Sequence, residues 1–317
     1  MSRSASDPER ILQRLDWTVV RRLDGLLLGD YRTLFLGFGL DLAELREYQL
    51  TDDVRYIDWY VTARMQVPYV RQFTEDREIT AWFLLDMSPS VDFGTVRALK
   101  RNLLIDFVAV LSRLLTRRGN RVGAMLYTGA VERVIPARGG RTQVLHLIDS
   151  LQRQPRLSRS PPTNLTALLE AALGILRRRS LVFIVSDFIS SPGWDRPLGV
   201  LTQRHEVLAV RLSDPRETEL PDIGPVVLED AETGAQMYID THDRGFRRRF
   251  ADSARARESA LGAVFARTRV DLLSLSTETE LLGELVRFAT LRKRRRTIPA
   301  NASIAQTRAP SRDQAAR

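Results

Sequence analysis

Cysteine is absent from the 317 residues. Its absence excludes disulfides, thiolate zinc sites and cysteine nucleophiles, and fits a reducing compartment. Histidine is scarce, with only His146, His205 and His242. His146 falls in a helical pattern and His205 at a strand entrance, so packing or surface roles are expected rather than a metal triad. Lysine occurs only at Lys100 and Lys293, so arginine supplies all but two of the 48 basic residues. A guanine–cytosine-rich coding bias accounts for this more simply than a need for planar guanidinium forks. No stretch reaches the roughly 18 consecutive apolar residues of a membrane-spanning helix. The nearest, LLLGDYRTLFLGFGL, is cut by Asp30 and Arg32. The N-terminal MSRSASDPERILQRLDW lacks an apolar core of signal-peptide length. A soluble, cytoplasmic protein is expected. Walker A, G-x-S-x-G and H-E-x-x-H patterns are also missing.

What is present can bury a full core, since 44% of the residues are hydrophobic. The net charge of +9 is unevenly placed: Arg292 to Arg317 carries eight basic residues against Asp313, leaving only +2 for the preceding 291 residues. The folded part is therefore almost neutral. The run RKRRR (292–296) ends a helical pattern, where cations suit the helix dipole, so nucleic-acid binding is not the expected role. Beyond Thr297 the composition is polar with scattered proline, and disorder is expected.

The first 18 residues lead into a helical pattern of Ile11, Leu15, Val19 and Leu23. VPYVRQF (67–73) reads as an edge strand because of Pro68, expected to pair with the next strand through the polar turn Thr74–Glu78. From Ile79 the rhythm is strand, helix, strand: ITAWFLL (79–85), a helix over about 96–117, RVGAMLY (121–127) turning at Thr128–Ala130 into antiparallel VERVIPA, and a helix over about 142–152. Leu165, Leu168, Leu169, Ala172, Leu173 and Leu176 give a one-sided helix. LVFIVSDF (181–188) has the apolar, β-branched character of a central parallel strand. HEVLAVRLSD (205–214), a hairpin of VVLED and AQMYIDT, a helix over about 246–268, VDLLSLST (270–277) and a helix from Leu281 to about Arg292 follow. Alternating strands and helices predict a mostly parallel sheet covered on both faces.

Asp86, Ser88 and Ser90 (DMSPS) follow the first central strand. Thr163 precedes a helix, and Asp187 ends the strand after it. Strand ends and helix starts share one edge of a doubly wound sheet, where ligands collect. The five side chains are hard oxygen donors of the kind magnesium takes. They would leave a position for an outside ligand, most naturally a carboxylate from another protein. Each part also has a bland reading: Ser88 capping a turn with Pro89 at its first position, Thr163 or Asn164 as a simple helix cap, Ser186-Asp187 as polar chain leaving a strand.

Asp86-x-Ser88-x-Ser90, Thr163 and Asp187 resemble the metal-ion-dependent adhesion site (MIDAS) of von Willebrand factor A domains. LREYQLTDDVRYIDWYVTAR (45–64) resembles the signature of the bacterial "domain of unknown function 58" family, with Arg46, Glu47, Tyr48, Asp52, Asp53, Arg55, Ile57, Asp58, Trp59, Ala63 and Arg64 matching. Asp214-Pro215-Arg216-Glu217 and the hairpin with Glu229-Asp230 and Thr233-Gly234 also fit. Thr51 stands where a glycine is usual, and the pair of N-terminal membrane helices carried by many relatives is missing. The resemblance implies a three-layer, Rossmann-like von Willebrand factor A fold, mostly parallel with one antiparallel strand, over residues 76–291. An N-terminal extension (1–75) would precede it and a basic disordered tail (292–317) would follow. It further implies a non-catalytic protein-interaction module dependent on magnesium or another divalent cation, working with a MoxR-type AAA+ ATPase or its client in the assembly of other complexes.

Read without the resemblance, Thr51 could cap a helix carrying Asp52 and Asp53 in its first turn, with Val54, Ile57 and Val61 inward and Asp58 held by Arg55 or Arg64. These charges then form either an ion-pair network fixing the extension to the sheet or a partner-docking surface. The competing function is a magnesium-dependent phosphoryl transferase using Asp86 as nucleophile. Haloacid-dehalogenase-like phosphatases resemble this placement but need D-x-D, and Ser88 removes the expected general acid.

Overall fold

The most apolar strands of the sequence lie in the middle of the sheet. In the computed structural model, which describes residues 7–26, 44–49, 52–72, 78–157 and 159–297, Thr80–Asp86 (β3), Arg121–Tyr127 (β4), Leu181–Ser186 (β6), Glu206–Ser213 (β7) and Asp271–Ser276 (β10) are parallel. Val131–Arg138 (β5) is antiparallel at one edge, and the spatial order is β10-β7-β6-β3-β4-β5. The expected mostly parallel sheet with one antiparallel strand is what forms.

Alternate residues of the central strands enter two separate cores. Ala81, Phe83 and Leu85 face one side, while Leu84, Val182 and Ile184 face the other. Both faces are dry, so these strands read as continuous apolar runs rather than alternating ones. Phe83 stacks on Phe183 at 5.0 Å between ring centroids, and Phe107 meets both edge-on. Phe107 comes from the helix Lys100–Thr116, which shares the first face with Gly140–Arg153 and part of Leu281–Thr297. Leu165–Ile175, Asp195–Arg204 and the end of Arg244–Thr268 cover the second.

The N-terminal segment was expected to belong with the signature as one extension, and this is corrected. Pro8–Leu15 (α1), a π-turn over Asp16–Val20 and Arg21–Leu26 (α2) place Leu12, Leu15, Val19, Val20 and Leu23 in the first core. Arg14 pairs with Asp106 at 2.7 Å and Arg113 with Asp16 at 3.2 Å. These residues are part of the main domain.

The pairing expected for residues 67–73 is also overturned. Tyr69–Gln72 (β2) lies antiparallel to Glu44–Glu47 (β1) in a sheet of its own and does not join β3. Arg46↔Val70 and Glu47↔Tyr69 set the register. The turn at 74–78 promised proximity, but β1 offered the edge. At the other end, the last helix continues to Thr297, so the boundary drawn at 292 falls inside a helix. The disorder expected beyond it lies outside the described residues.

β5 carries several features that interrupt a regular edge. Its register to β4 shifts twice, between Val122 and Ala124 and again between Leu126 and Tyr127. Gly123 sits at the first shift, where a Cβ would come within 2.9 Å of Ala137 N and Ile135 O, so only glycine admits the approach. Pro136 interrupts the strand and has no N–H to offer, and Glu132, Arg133 and Arg138 are exposed. Buried Gln143 ties the irregular ladder together, donating to Val122 O at 2.9 Å and Pro136 O at 3.0 Å.

Candidate functional site

The strand order reverses beside β3, because the chain adds β4 on one side and returns to place β6 on the other. Such a reversal opens a crevice at the carboxyl ends of the two strands. Asp86 ends β3, and Asp187 follows the last residue of β6. Both are buried, at 0% and 2% exposure. Asp86 Oδ1 accepts from Ser88 N at 3.0 Å, and Oδ2 accepts from Ser186 Oγ at 2.7 Å. Burial and the neighbouring Asp187 carboxylate push the Asp86 carboxyl up to about 6, against the lowering pull of the bonds from Ser186 and Ser88.

The DMSPS turn folds as expected up to a point. Pro89 opens a short 3₁₀ turn to Asp92, with Ser88 in the capping position. The Ser88 side chain does not cap that turn; its hydroxyl lies 3.0 Å from Ser90 Oγ. Similarly, Asn164 takes over the capping of Leu165–Ile175, accepting from Thr166 N at 3.1 Å. Thr163 is thereby released from capping. Its carbonyl accepts from Ser190 Oγ at 3.0 Å and Ser191 N at 2.9 Å, which fastens it to the loop after Asp187. The N–H of the same peptide is held by Tyr127, whose hydroxyl accepts from Asn164 N at 3.0 Å. Tyr127 is the partner of Asp86 across β3–β4. Bonds thus join Asp86 to Ser88 and Ser88 to Ser90, and fasten Thr163 to the loop after Asp187.

Phe188, immediately after Asp187, has φ +59. A bulky residue in the left-handed region stores strain on the order of 1–3 kcal/mol. Packing pins it there, with Trp194 at 5.7 Å and Phe265 at 5.1 Å between ring centroids. The turn holds Asp187 facing back toward the crevice floor, where Ile189 N donates to Oδ1 at 3.0 Å.

A residue the sequence reading passed over completes the floor. Lys100, fully buried, donates to Asp187 Oδ2 at 2.9 Å and to Glu217 Oε1 at 2.6 Å. Burial pulls its ammonium down, but the two carboxylates outweigh that, and it sits above its ordinary value. Glu217 is placed by a capping box: Asp214 N donates to its Oε2 at 2.9 Å, while Arg216 N donates to Asp214 Oδ1 at 2.9 Å. The DP-x-E element therefore grips the crevice from behind.

Among the described residues, no three or more His, Cys, Asp or Glu side chains converge as a metal cluster. What is built instead is two carboxylates and three hydroxyls, the oxygen set suited to a hard divalent cation. Lys100 compensates Asp187 and Glu217, while Asp86 is held by Ser88 and Ser186. The residues present fit such an ion: Asp86, Ser88, Ser90, Thr163 and Asp187 would hold it.

The signature segment folds differently from the helix read into it. Val54–Tyr56 is a 3₁₀ turn capped by Asp53, whose carboxylate also takes Arg55 at 3.0 Å. Trp59–Met65 (α3) is capped by Asp58, which accepts from Tyr60 N at 3.0 Å and Val61 N at 3.2 Å. Arg46 forks onto Asp52 at 2.7 and 2.6 Å, and Gln49 N donates to Asp52 at 2.8 Å. Thr51 lies outside the described residues. Val54 is exposed rather than inward, as are Trp59 (70%), Tyr60 (78%) and Met65. Glu47 and Arg64 are exposed, and Tyr48 is half-buried. These ion pairs shape the segment itself, and its aromatic face is left to solvent.

Comparison with known proteins gives the following. The sequence model of the family described as "Protein of unknown function DUF58" matches residues 44–260. Uncharacterized proteins of Mycobacterium bovis and Mycobacterium tuberculosis are each 40% identical over 283 residues, covering 89% of this chain and 89% of their own. Among solved structures, the conserved hypothetical protein BatB from Bacteroides thetaiotaomicron aligns with a TM-score of 0.42 at 11% identity, over 69% of this chain and all of that one. The SpRpn10 VWA domain aligns with a TM-score of 0.36 at 14% identity, over 66% of this chain and 94% of its own.

Proposed function

The chain belongs to the DUF58 family of proteins of unknown function, and we propose that it is a non-catalytic interaction module whose crevice uses a divalent cation, magnesium by preference, to recognise an acidic residue of a partner. One observation carries this reading. In a buried, oxygen-lined crevice, burial and the charge of neighbouring Asp187 push the Asp86 carboxyl up to about 6. Lys100 already compensates Asp187 at 2.9 Å, and a divalent cation shared with Asp86 would compensate the second carboxylate. A bound magnesium would supply a Lewis-acidic position open to a carboxylate. This chain's own residues orient the donors: Ser186 holds Asp86, Lys100 holds Asp187, and Ser190 and Tyr127 hold the Thr163–Asn164 peptide.

The partner is a MoxR-type AAA+ ATPase or its client, as the signature over residues 45–64 implied, and the place of work is the cytoplasm. No helix among the described residues is long and apolar enough to cross a membrane. The exposed Trp59–Tyr60 face is the second contact surface, since aromatic side chains left in solvent are what partners bury. Phosphoryl transfer finds less support. Ser88 stands where the general acid of a D-x-D phosphatase would be needed.

Mn2+ titration followed by electron paramagnetic resonance tests the ion. The wild-type chain is expected to bind it, and Asp86→Ala to bind at least about 100-fold more weakly, since even outer-shell partners cost up to that much. Pull-down of the ATPase, with and without chelator, tests the consequence. Mn2+ affinity equal in the two proteins, or capture indifferent to chelator and to Asp86→Ala, removes the cation from the account.

A further inference from the structure

The hairpin of Pro225–Glu229 (β8) and Gln236–Asp240 (β9) stands apart from the six-stranded sheet. Of its strand residues only Ile239 is buried, while Val227, Met237 and Tyr238 are exposed. An arm with so little apolar contact along its strands needs another anchor, and its tip supplies one. Glu232, in the connecting turn, reaches the crevice. Its Oε2 accepts from Thr163 N at 2.9 Å, and its Oε1 accepts from the Thr163 hydroxyl. Its backbone carbonyl accepts from Ser160 N at 3.0 Å.

The turn is preformed to present that carboxylate. Asp230 Oδ1 accepts from Thr233 N at 2.7 Å, Thr233 Oγ1 at 2.8 Å and Glu232 N at 3.1 Å, which holds the Asp230 carboxyl below its ordinary range. Gly234, at φ +71, closes the turn against the Arg159 guanidinium, which lies 2.8 Å from where a Cβ would be. Glu232 also stands close enough to Tyr127 to act on its hydroxyl together with Asp86. One of the site's oxygen donors is thus covered by an acid of the chain itself.

Resting on the cation reading above, we infer that Glu232 is the resident carboxylate over this site: it latches Thr163 and stands where a partner's acid would approach, so partner recognition requires the hairpin tip to lift. The partner's ligand is accordingly an aspartate or glutamate on a protruding turn, because it has to replace a group delivered in that form. The hinge of the arm is its base, where Thr241 Oγ1 donates to Gly224 O at 2.7 Å and Thr241 N donates to the same carbonyl at 2.9 Å.

The test compares wild type, Glu232→Gln and Glu232→Asp, each loaded with Mn2+, by water-proton relaxation with sodium acetate as the competing carboxylate. With Glu232 latched on Thr163, its charge and the closed hairpin tip keep exchanging water and acetate from the ion, so the enhancement is low and acetate changes little. Glu232→Gln is expected to raise the relaxation enhancement and make it fall on acetate addition, with Glu232→Asp intermediate. Hydrogen exchange of the ion-free proteins gives the second readout. Amides of 225–240 in Glu232→Gln should exchange roughly tenfold faster, as expected for losing charge-assisted bonds at the arm's tip, with β3 unchanged. Equal enhancement and equal acetate response across the three proteins overturn the inference while leaving the cation reading intact. Absence of Mn2+ binding in wild type overturns both.

Discussion

Lys100→Met is expected to destabilise the protein by about 3–5 kcal/mol, the range for removing one partner of a buried ion pair. Methionine keeps most of the volume, so the loss is electrostatic. Asp187 and Glu217 would be left facing each other without the ammonium that now bonds both, at 2.9 and 2.6 Å. The midpoint of urea unfolding should fall with its slope unchanged. Lys100→Arg should fail as a replacement despite keeping the charge, because a planar guanidinium does not fit an enclosed pocket shaped for a point charge. A double variant with Glu217→Gln should recover part of the loss by removing one of the stranded acids. A shift below about 1 kcal/mol for Lys100→Met would mean that the pair is hydrated in solution and does not hold the crevice floor.

Asp214→Ala should cost about 3 kcal/mol, because one buried carboxylate ends several separate donors. Asp214 is 1% exposed and accepts from Thr95 N at 2.8 Å, Thr95 Oγ1 at 2.7 Å, Arg216 N at 2.9 Å and Thr277 Oγ1 at 2.5 Å. It joins the loop before Lys100 to the ends of β7 and β10. Burial pushes its carboxyl up, but the bonds from Thr277, Thr95 and Arg216 prevail and hold it below the ordinary carboxylate range. A carboxyl lowered by folding stabilises above its unfolded value, about 3.9, and that contribution is lost as pH falls through the folded value. The stability gap between wild type and Asp214→Asn should therefore be flat above about pH 5 and narrow below about pH 4. A gap that stays constant down to pH 3 would contradict the bonding described.

The central strands were legible in the sequence because burial on both faces writes itself as an uninterrupted apolar run, as in Leu181–Ser186. The five candidate residues stand out in the sequence because each sits at a strand end or helix start, and topology carries those to one edge. Lys100 was not legible in this way. Its acids lie 87 and 117 positions away, and it opens a leucine-rich helix where a basic residue attracts no notice. A signal was nevertheless present: in a chain that writes nearly every cation as arginine, a lone internal lysine marks a place where a guanidinium does not fit. Glu232 looked like turn composition, since nothing local says that a hairpin tip will swing onto a loop some 70 residues upstream. The N-terminal repeat of Ile11, Leu15, Val19 and Leu23 announced a helix with an apolar side, but amphipathicity names no destination. Residues 67–73 were misassigned because a short polar turn is a strong cue for a hairpin, while a partner strand more than 20 residues upstream leaves no comparable mark.

The irregular margin at β5 limits how another molecule can attach. Adding a strand to a sheet needs a straight row of free donors and acceptors. Here the row is broken by Pro136, bent by two register shifts and bordered by charges of both signs. Continuous main-chain zippering, and with it fibre-like self-association along this side, is closed off. Recruitment that depends on side-chain chemistry remains available, and it can be switched by a single residue in a way that a backbone zipper cannot.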